Sequence, residues 1–291
     1  MSIVVNTNVQ SIFAQRALSK NTLNLQKSVE KLSTGSKINK AADDAAGLSI
    51  SEKLTSQIRG LEKAKQNAGD GISMIQTAEG ALSVVHDNLQ RVRELVVQSK
   101  NGTNSTAELD SIQREINERV TTIEDISGST KYNGNALIKG ATAKTLQIGA
   151  DDGQTLSVKL DEIDIDVDKT SANSLGEGAI NLSALHVGGS IKAQDGTTSA
   201  ANGSIANVDS MITNVSKMRS YLGAVQNSLE SRVDYLDVAI ENNSSSRSRV
   251  KDVDVASESS NMLKNQILQQ SAASMLSQAN STPQLALNLL P

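Results

Sequence analysis

What most narrows the fold of this chain is the position of its apolar helical pattern, which occupies both ends and runs inward from each. Apolar residues recur at helical spacing from Val9 to Leu32 and again from Met262 to Leu290. Terminal segments fray unless something holds them, so apolar stripes at both ends require a partner surface. Another copy of the same chain is the simplest candidate. Between the ends lies a stretch rich in Gly, Ser, Thr and Asn with strand-like patterning.

The interior repeats the helical theme. From Leu54 an apolar residue falls at every seventh position through Leu61, Ala68, Ile75, Leu82 and Leu89 to Val96. Ile58, Ile72, Val85 and Val92 widen that seam into a bundle-facing stripe. This predicts one helix within residues 42–100, whose seam alone would reach roughly 64 Å at 1.5 Å per residue. Asn101-Gly102-Thr103-Asn104 should end it, since Gly and Asn favour the left-handed cap, and Ser105 or Thr106 with Glu108 can open the next helix. Leu109, Ile112, Ile116, Val120, Ile123 and Ile126 form a second stripe; Ser127-Gly128 closes it and Tyr132-Asn133-Gly134 reads as a turn. The helical pattern returns from about Asn207, with Val208, Val215, Leu222, Leu229 and Leu236 joined by Ile212, Met218, Val225, Val233 and Ile240.

In the middle the period changes to two. Leu146, Ile148 and Ala150 alternate with polar residues, Asp151-Asp152-Gly153 turns the chain, and Leu156, Val158 and Leu160 resume the alternation, predicting a β-hairpin over 144–161. Residues 176–204 read as a short loop or vestigial outer subdomain. The expected fold is mainly α: a long antiparallel helical bundle or coiled coil built from both chain ends, with a small β-hairpin region in the middle.

Composition agrees with a thin core. The 291 residues include one Phe, three Tyr and no Trp, so Leu, Ile, Val, Ala and Met must fill a narrow seam. The formal net charge of −4 and the lack of aromatic-flanked basic clusters argue against nucleic acid. With no cysteine there are no disulfides, thiolate nucleophiles or Cys-based metal sites. No stretch approaches the roughly 20 apolar residues of a membrane span, and MSIVVNTNVQ lacks the basic region and apolar core of a signal peptide. If exported, the protein is expected to take another route.

Chemistry finds few candidates. His86 and His186 are the only histidines, and HExxH, GxSxG, Walker and GxGxxG patterns are absent. Asp43-Asp44, before Ala45-Ala46-Gly47, fits a helix cap better than acid–base chemistry. Asp161, Glu162, Asp164, Asp166 and Asp168 place several carboxylates on one strand face, where they could hold Ca²⁺ or guard an exposed edge against pairing. The Asn-x-Ser/Thr triplets are those that chance supplies in so Asn- and Ser-rich a chain. No catalytic, cofactor or metal residue is assigned.

Several segments then carry a close resemblance to bacterial flagellin, the subunit of the flagellar filament. They are KLSTGSKINKAADDAAGLSISEKL (Lys31 to Leu54), NAGDGISMIQTAEGAL (Asn67 to Leu82), LQRVRELVVQSKNGTNS (Leu89 to Ser105), LGAVQNSLESRVDYL (Leu222 to Leu236) and the run from Ser248 to Leu290. The chain resembles this family over nearly all its helical residues and departs from larger members by a short middle.

The resemblance implies a non-enzymatic, self-assembling subunit of an extracellular propeller. It implies an inner coiled coil of residues 1–40 with 255–291, disordered in the monomer and ordered by neighbours. An outer bundle would comprise 41–175 with 205–254. Leu18, Leu25, Val29 and Leu32 with Leu268, Ala272, Met275 and Ala279 are the expected coiled-coil residues. Arg91, Glu94, Leu95 and Gln98 share a helix face; with Glu115 they match positions that in the family pack subunits and contact the vertebrate receptor Toll-like receptor 5. A plain solvated face is the alternative.

The same resemblance implies unfolded export through the flagellum's own channel, an export chaperone on the C-terminal helix, and cap and hook-associated proteins as partners. Ser190, Thr197, Thr198 and Ser199 would be acceptors of O-linked sugars, and the short middle implies a bare, narrow filament. The competing readings are a hook–filament junction protein and a secreted adhesin or translocator with membrane-binding ends. Sparse basic residues on those ends weigh against membrane insertion.

Overall fold

The structure, a computed structural model, describes residues 7–160 and 205–287. Five helices, α1 Val9–Thr34, α2 Ala45–Ser99, α3 Thr106–Ser129, α4 Ile205–Lys251 and α5 Val255–Leu287, dominate it. Four short strands, β1 Lys131–Tyr132, β2 Asn135–Ala136, β3 Lys144–Gln147 and β4 Thr155–Val158, follow α3. The mainly helical class, the packing of the chain-end helices on each other and the small antiparallel hairpin all match the sequence reading. The loop 176–204, the acidic run from Asp161 to Asp168 and the sugar acceptors Ser190, Thr197, Thr198 and Ser199 lie outside the described residues.

Contacts divide the chain into two compact units, Met1–Ile58 with Glu241–Pro291, and Arg59–Ile240. The division falls inside α2 and α4, beyond the helix breaks near residues 40 and 254. Backbone bonds at those breaks explain why: Lys37 N–H donates to Lys251 O at 2.7 Å and Val253 N–H to Gly35 O at 3.0 Å. They tie the two connections together, and the adjoining helix turns belong to the same unit.

In the first unit, α1 opens on Asn8, whose side chain accepts from Ser11 N–H at 3.0 Å. It closes on Gly35 at φ 68°, a left-handed cap that glycine adopts without a Cβ penalty. α1 and α5 pair antiparallel, for Asn8 Nδ2 donates to Ala279 O at 2.7 Å while Gln269 Nε2 donates to Thr22 Oγ1 at 3.1 Å. Asp44 caps α2 as expected, its carboxylate accepting from Gly47 N–H at 2.9 Å. Asp43 instead closes the preceding turn, accepting from the N–H groups of Asn39 and Lys40, and these bonds, Lys40 first, lower its pKa.

The second unit is the packed core. Along α2 the seam residues Ala68, Ile75, Leu82, Leu89 and Val96 are fully buried, as are Val208, Val215, Leu222, Leu229 and Leu236 of α4. Ion pairs Lys65–Asp237 and Arg93–Asp209, each at 2.6 Å, place early α2 beside late α4, so these helices also run antiparallel. Ser105 and Glu108 form the expected capping box on α3, whose Ile116 and Ile123 complete the core.

The hairpin pairs Leu146 with Leu156 and Lys144 with Val158, turning through Gly153 at φ 82°. Asn67 Nδ2 donates to Gln147 O at 3.0 Å and Arg232 Nε to Ile148 O at 3.2 Å, holding it to α2 and α4. Gly71 makes that approach feasible: a Cβ there would stand 2.5 Å from Leu146 Cδ1. The turn at Tyr132-Asn133-Gly134 proves to be a second hairpin, with Asn133 and Gly134 both at positive φ, as a primed turn requires. It delivers Leu137 and Ile138, both fully buried, to the core.

Candidate assembly surfaces

The first surface lies on the terminal helix pair. Its buried seam consists of small residues: Ala14 and Ser28 on α1, Ala272 and Ala279 on α5. Leu18, Leu25 and Leu32 are half-buried. Because small side chains fill the seam, the larger apolar ones stay outside: Phe13 is 73% exposed, Met275 68% and Ile267 62%. Val29 and Leu268, expected in the coiled coil, are exposed as well. An apolar groove of about 720 Å³ opens between the helices, lined by Val9, Phe13, Ala17, Leu268, Ala272 and Met275 among others. Free monomers seldom leave such a patch open unless something covers it.

Sequence reasoning undervalued Phe13. The one signal was that the chain's sole phenylalanine stands in a terminal helix rather than in the core.

The second surface lies where α2 meets α3. Arg91 Nη1 donates to Glu94 at 2.9 Å and its Nε to Glu115 at 3.0 Å, which brings residues 24 positions apart in sequence into one cluster. The hydrogen bond to Glu94 and then that to Glu115 raise the Arg91 pKa. Gln98 is exposed beyond them, and its backbone oxygen accepts from Asn104 Nδ2 at 2.6 Å. Leu95 differs: it is 1% exposed and packs in a cluster with Val92, Val96, Ile112, Ile116 and Val208. Leu95 thus belongs to the core between α2, α3 and α4, whereas Arg91, Glu94 and Gln98 stay exposed.

Chemistry remains sparse. Among the described residues no group of three His, Cys, Asp or Glu is placed to hold a metal ion, and no helix is long and apolar enough to cross a membrane. The Nε2 of His86 lies 3.2 Å from the Gln90 amide.

A sealed helical core joined to a helix pair whose large apolar side chains face outward defines a structural subunit built for assembly. Residues 5–143 match the family described as the bacterial flagellin N-terminal helical region, and residues 205–290 its C-terminal helical region. The chain belongs to the bacterial flagellin family. It is 41% identical to a flagellin of Halalkalibacterium halodurans over 99% of this chain and 100% of that one. To a flagellin of Bacillus subtilis it is 44% identical over 98% and 99%. A flagellin of Escherichia coli is 46% identical over 69% of this chain but only 36% of its own length, so the short middle is a difference from larger relatives. The protein is a self-assembling subunit of the flagellar filament, a structural component of motility.

Proposed function

We propose that the two surfaces divide the labour of assembly. Residues 1–40 with 255–291 form the inner coiled-coil layer of the filament, and 41–175 with 205–254 the outer bundle. The observation that carries this reading is the uncovered apolar face of α1 and α5, with Phe13, Ile267 and Met275 outward. Leu18, Leu25, Val29, Leu32 and Leu268 would gain cover from neighbouring subunits through head-to-tail contacts, which extend a filament rather than close a ring. Seeded elongation tests it. Phe13→Asp should remain a folded monomer yet fail to extend short filament fragments; extension at the wild-type rate would refute the inner-layer assignment.

The Arg91–Glu94–Glu115 cluster, with Gln98, supports a second role as the packing face between outer bundles and, on the monomer, as the contact for Toll-like receptor 5. The convergence of Glu94 and Glu115 on Arg91 from two helices favours this reading over a diffuse solvated face. Leu95 contributes by supporting Arg91 from beneath. The uncovered helix α5 also suits an export chaperone before secretion, and the cap and hook-associated proteins as partners at the filament's ends. Co-purification of the chain with such a chaperone, lost when α5 is deleted, tests that part.

A further inference from the structure

The chain has no cysteine, so methionine is its only oxidisable sulfur. Of its six methionines, Met74, Met211 and Met218 are 6%, 6% and 7% exposed within the core, whereas Met275 is 68% exposed. Met262 is half-buried, and Met1 lies outside the described residues. Oxidation of methionine follows access to the sulfur. The structure therefore ranks Met275 ahead of the core methionines.

Position makes that ranking consequential. Met275 borders the groove beside the apolar Val9, Phe13 and Leu268, which share its lining with Gln10, Asn21, Ser271, Gln278 and Thr282. We infer that Met275 is an oxidation site through which two-electron oxidants such as hydrogen peroxide halt subunit addition. Its thioether sulfur attacks one peroxide oxygen, the S–O bond forms as the O–O bond breaks, and the departing hydroxide takes the remaining proton as water. Sulfur is oxidised to the sulfoxide and the peroxide is reduced. The product sets a strong polar dipole against the large apolar side chains of the groove, and covering them then removes the water that solvated it.

This inference rests on the groove being a packing surface. Addition of the next subunit would cover Met275 as well, so oxidation acts on unassembled chains and spares the finished filament. Sulfoxide reduction reverses the block, since the backbone and every other contact are unchanged.

Monomer treated with graded hydrogen peroxide is digested, the methionine-containing peptides are quantified by mass spectrometry, and the same samples are offered to filament seeds. Sulfoxide at Met275 should accumulate ahead of Met74, Met211 and Met218, with elongation lost in proportion. Met275→Leu should keep its elongation after the same treatment, and methionine sulfoxide reductase should restore the wild type. Equal oxidation rates at Met275 and the core methionines, or equal loss of elongation by Met275→Leu, would overturn the inference. Untreated Met275→Gln mimics the polar product without oxidant: normal elongation by it would overturn the packing reading itself.

Discussion

Leu268→Pro separates the two units energetically. Leu268 lies inside α5, with 13 residues of that helix before it and 19 after. Proline there removes the N–H that would bond Lys264 O and sets its ring against that carbonyl, at about 3 kcal/mol or more. Against this, the apolar side chains buried in the α1–α5 seam are three alanine methyls, Ala14, Ala272 and Ala279, worth about 2 kcal/mol together at about 0.8 kcal/mol per buried carbon, beside the half-buried Leu18, Leu25 and Leu32. The detached 13-residue N-terminal piece is at the lower limit for an isolated helix, and the neighbouring Gln269–Thr22 bond would go with it. The pair should therefore open, while the second unit, which uses no residue of α5, should not notice. Calorimetry is expected to show the main transition unchanged, limited proteolysis to cut α5, and seeded elongation to fail. Wild-type elongation by this variant would refute the account of the chain ends, and a lowered main transition would refute the independence of the units.

Six further substitutions probe the second unit. Gly71→Ala should destabilise the hairpin docking by about 1–3 kcal/mol through the clash with Leu146. Gly69→Ala on the same helix meets nothing within 4 Å and should stabilise by about 0.5–1 kcal/mol; urea unfolding of both compares them directly. Ser105→Ala should cost about 1 kcal/mol of α3 capping. Hydrogen bonds from Ser105, its backbone N–H first, lower the Glu108 pKa below its ordinary 4.5, so the Glu108 contribution is present above that value and is lost as pH falls through the depressed pKa. The stability gap between wild type and Glu108→Ala, measured by denaturant titration, should accordingly shrink on acidification below 4.5. Arg91→Ala should leave the unfolding midpoint close to that of wild type, yet weaken receptor signalling in a reporter-cell assay; Leu95→Ala should cost about 2–5 kcal/mol as a core cavity, so signalling lost by that variant alone would report unfolding.

The second unit was legible because its signal is periodic. Apolar residues at every seventh position of α2 and α4 map onto buried positions, and the α3 capping box is a local motif whose partners are three residues apart. Burial of Leu137 and Ile138 was not legible, since a two-residue hairpin carries no period and only Asn133-Gly134 marks it. Leu95 was misplaced for a related reason: sequence spacing puts it on the arc of Arg91 and Gln98, but which part of that arc faces α3 depends on helix rotation. The terminal pair gave the opposite difficulty. In α5 apolar and polar residues are spread around the circumference, so its pattern did not separate Ala272 and Ala279, which take the seam, from Leu268 and Met275, which stay exposed.

That choice of side chains accounts for how one chain can be stable alone and still polymerise. In the second unit Leu, Ile and Val fill the seams, and burying each such side chain contributes about 1.5–3 kcal/mol, so the unit needs no neighbour. In the first unit alanine fills the seam, contributing little and letting the helices approach closely, while Phe13, Ile267 and Met275 keep most of their surface in water. Their burial energy is deferred until another subunit arrives. Had leucine replaced Ala272 and Ala279, the pair would be thicker and more stable by itself, but the groove beside them would fill and its driving force for addition would fall. Each contact can then be modest, because a subunit in a helical lattice meets several neighbours at once and their contributions compound. The alanine seam thus sets the balance between a persistent monomer and a persistent filament.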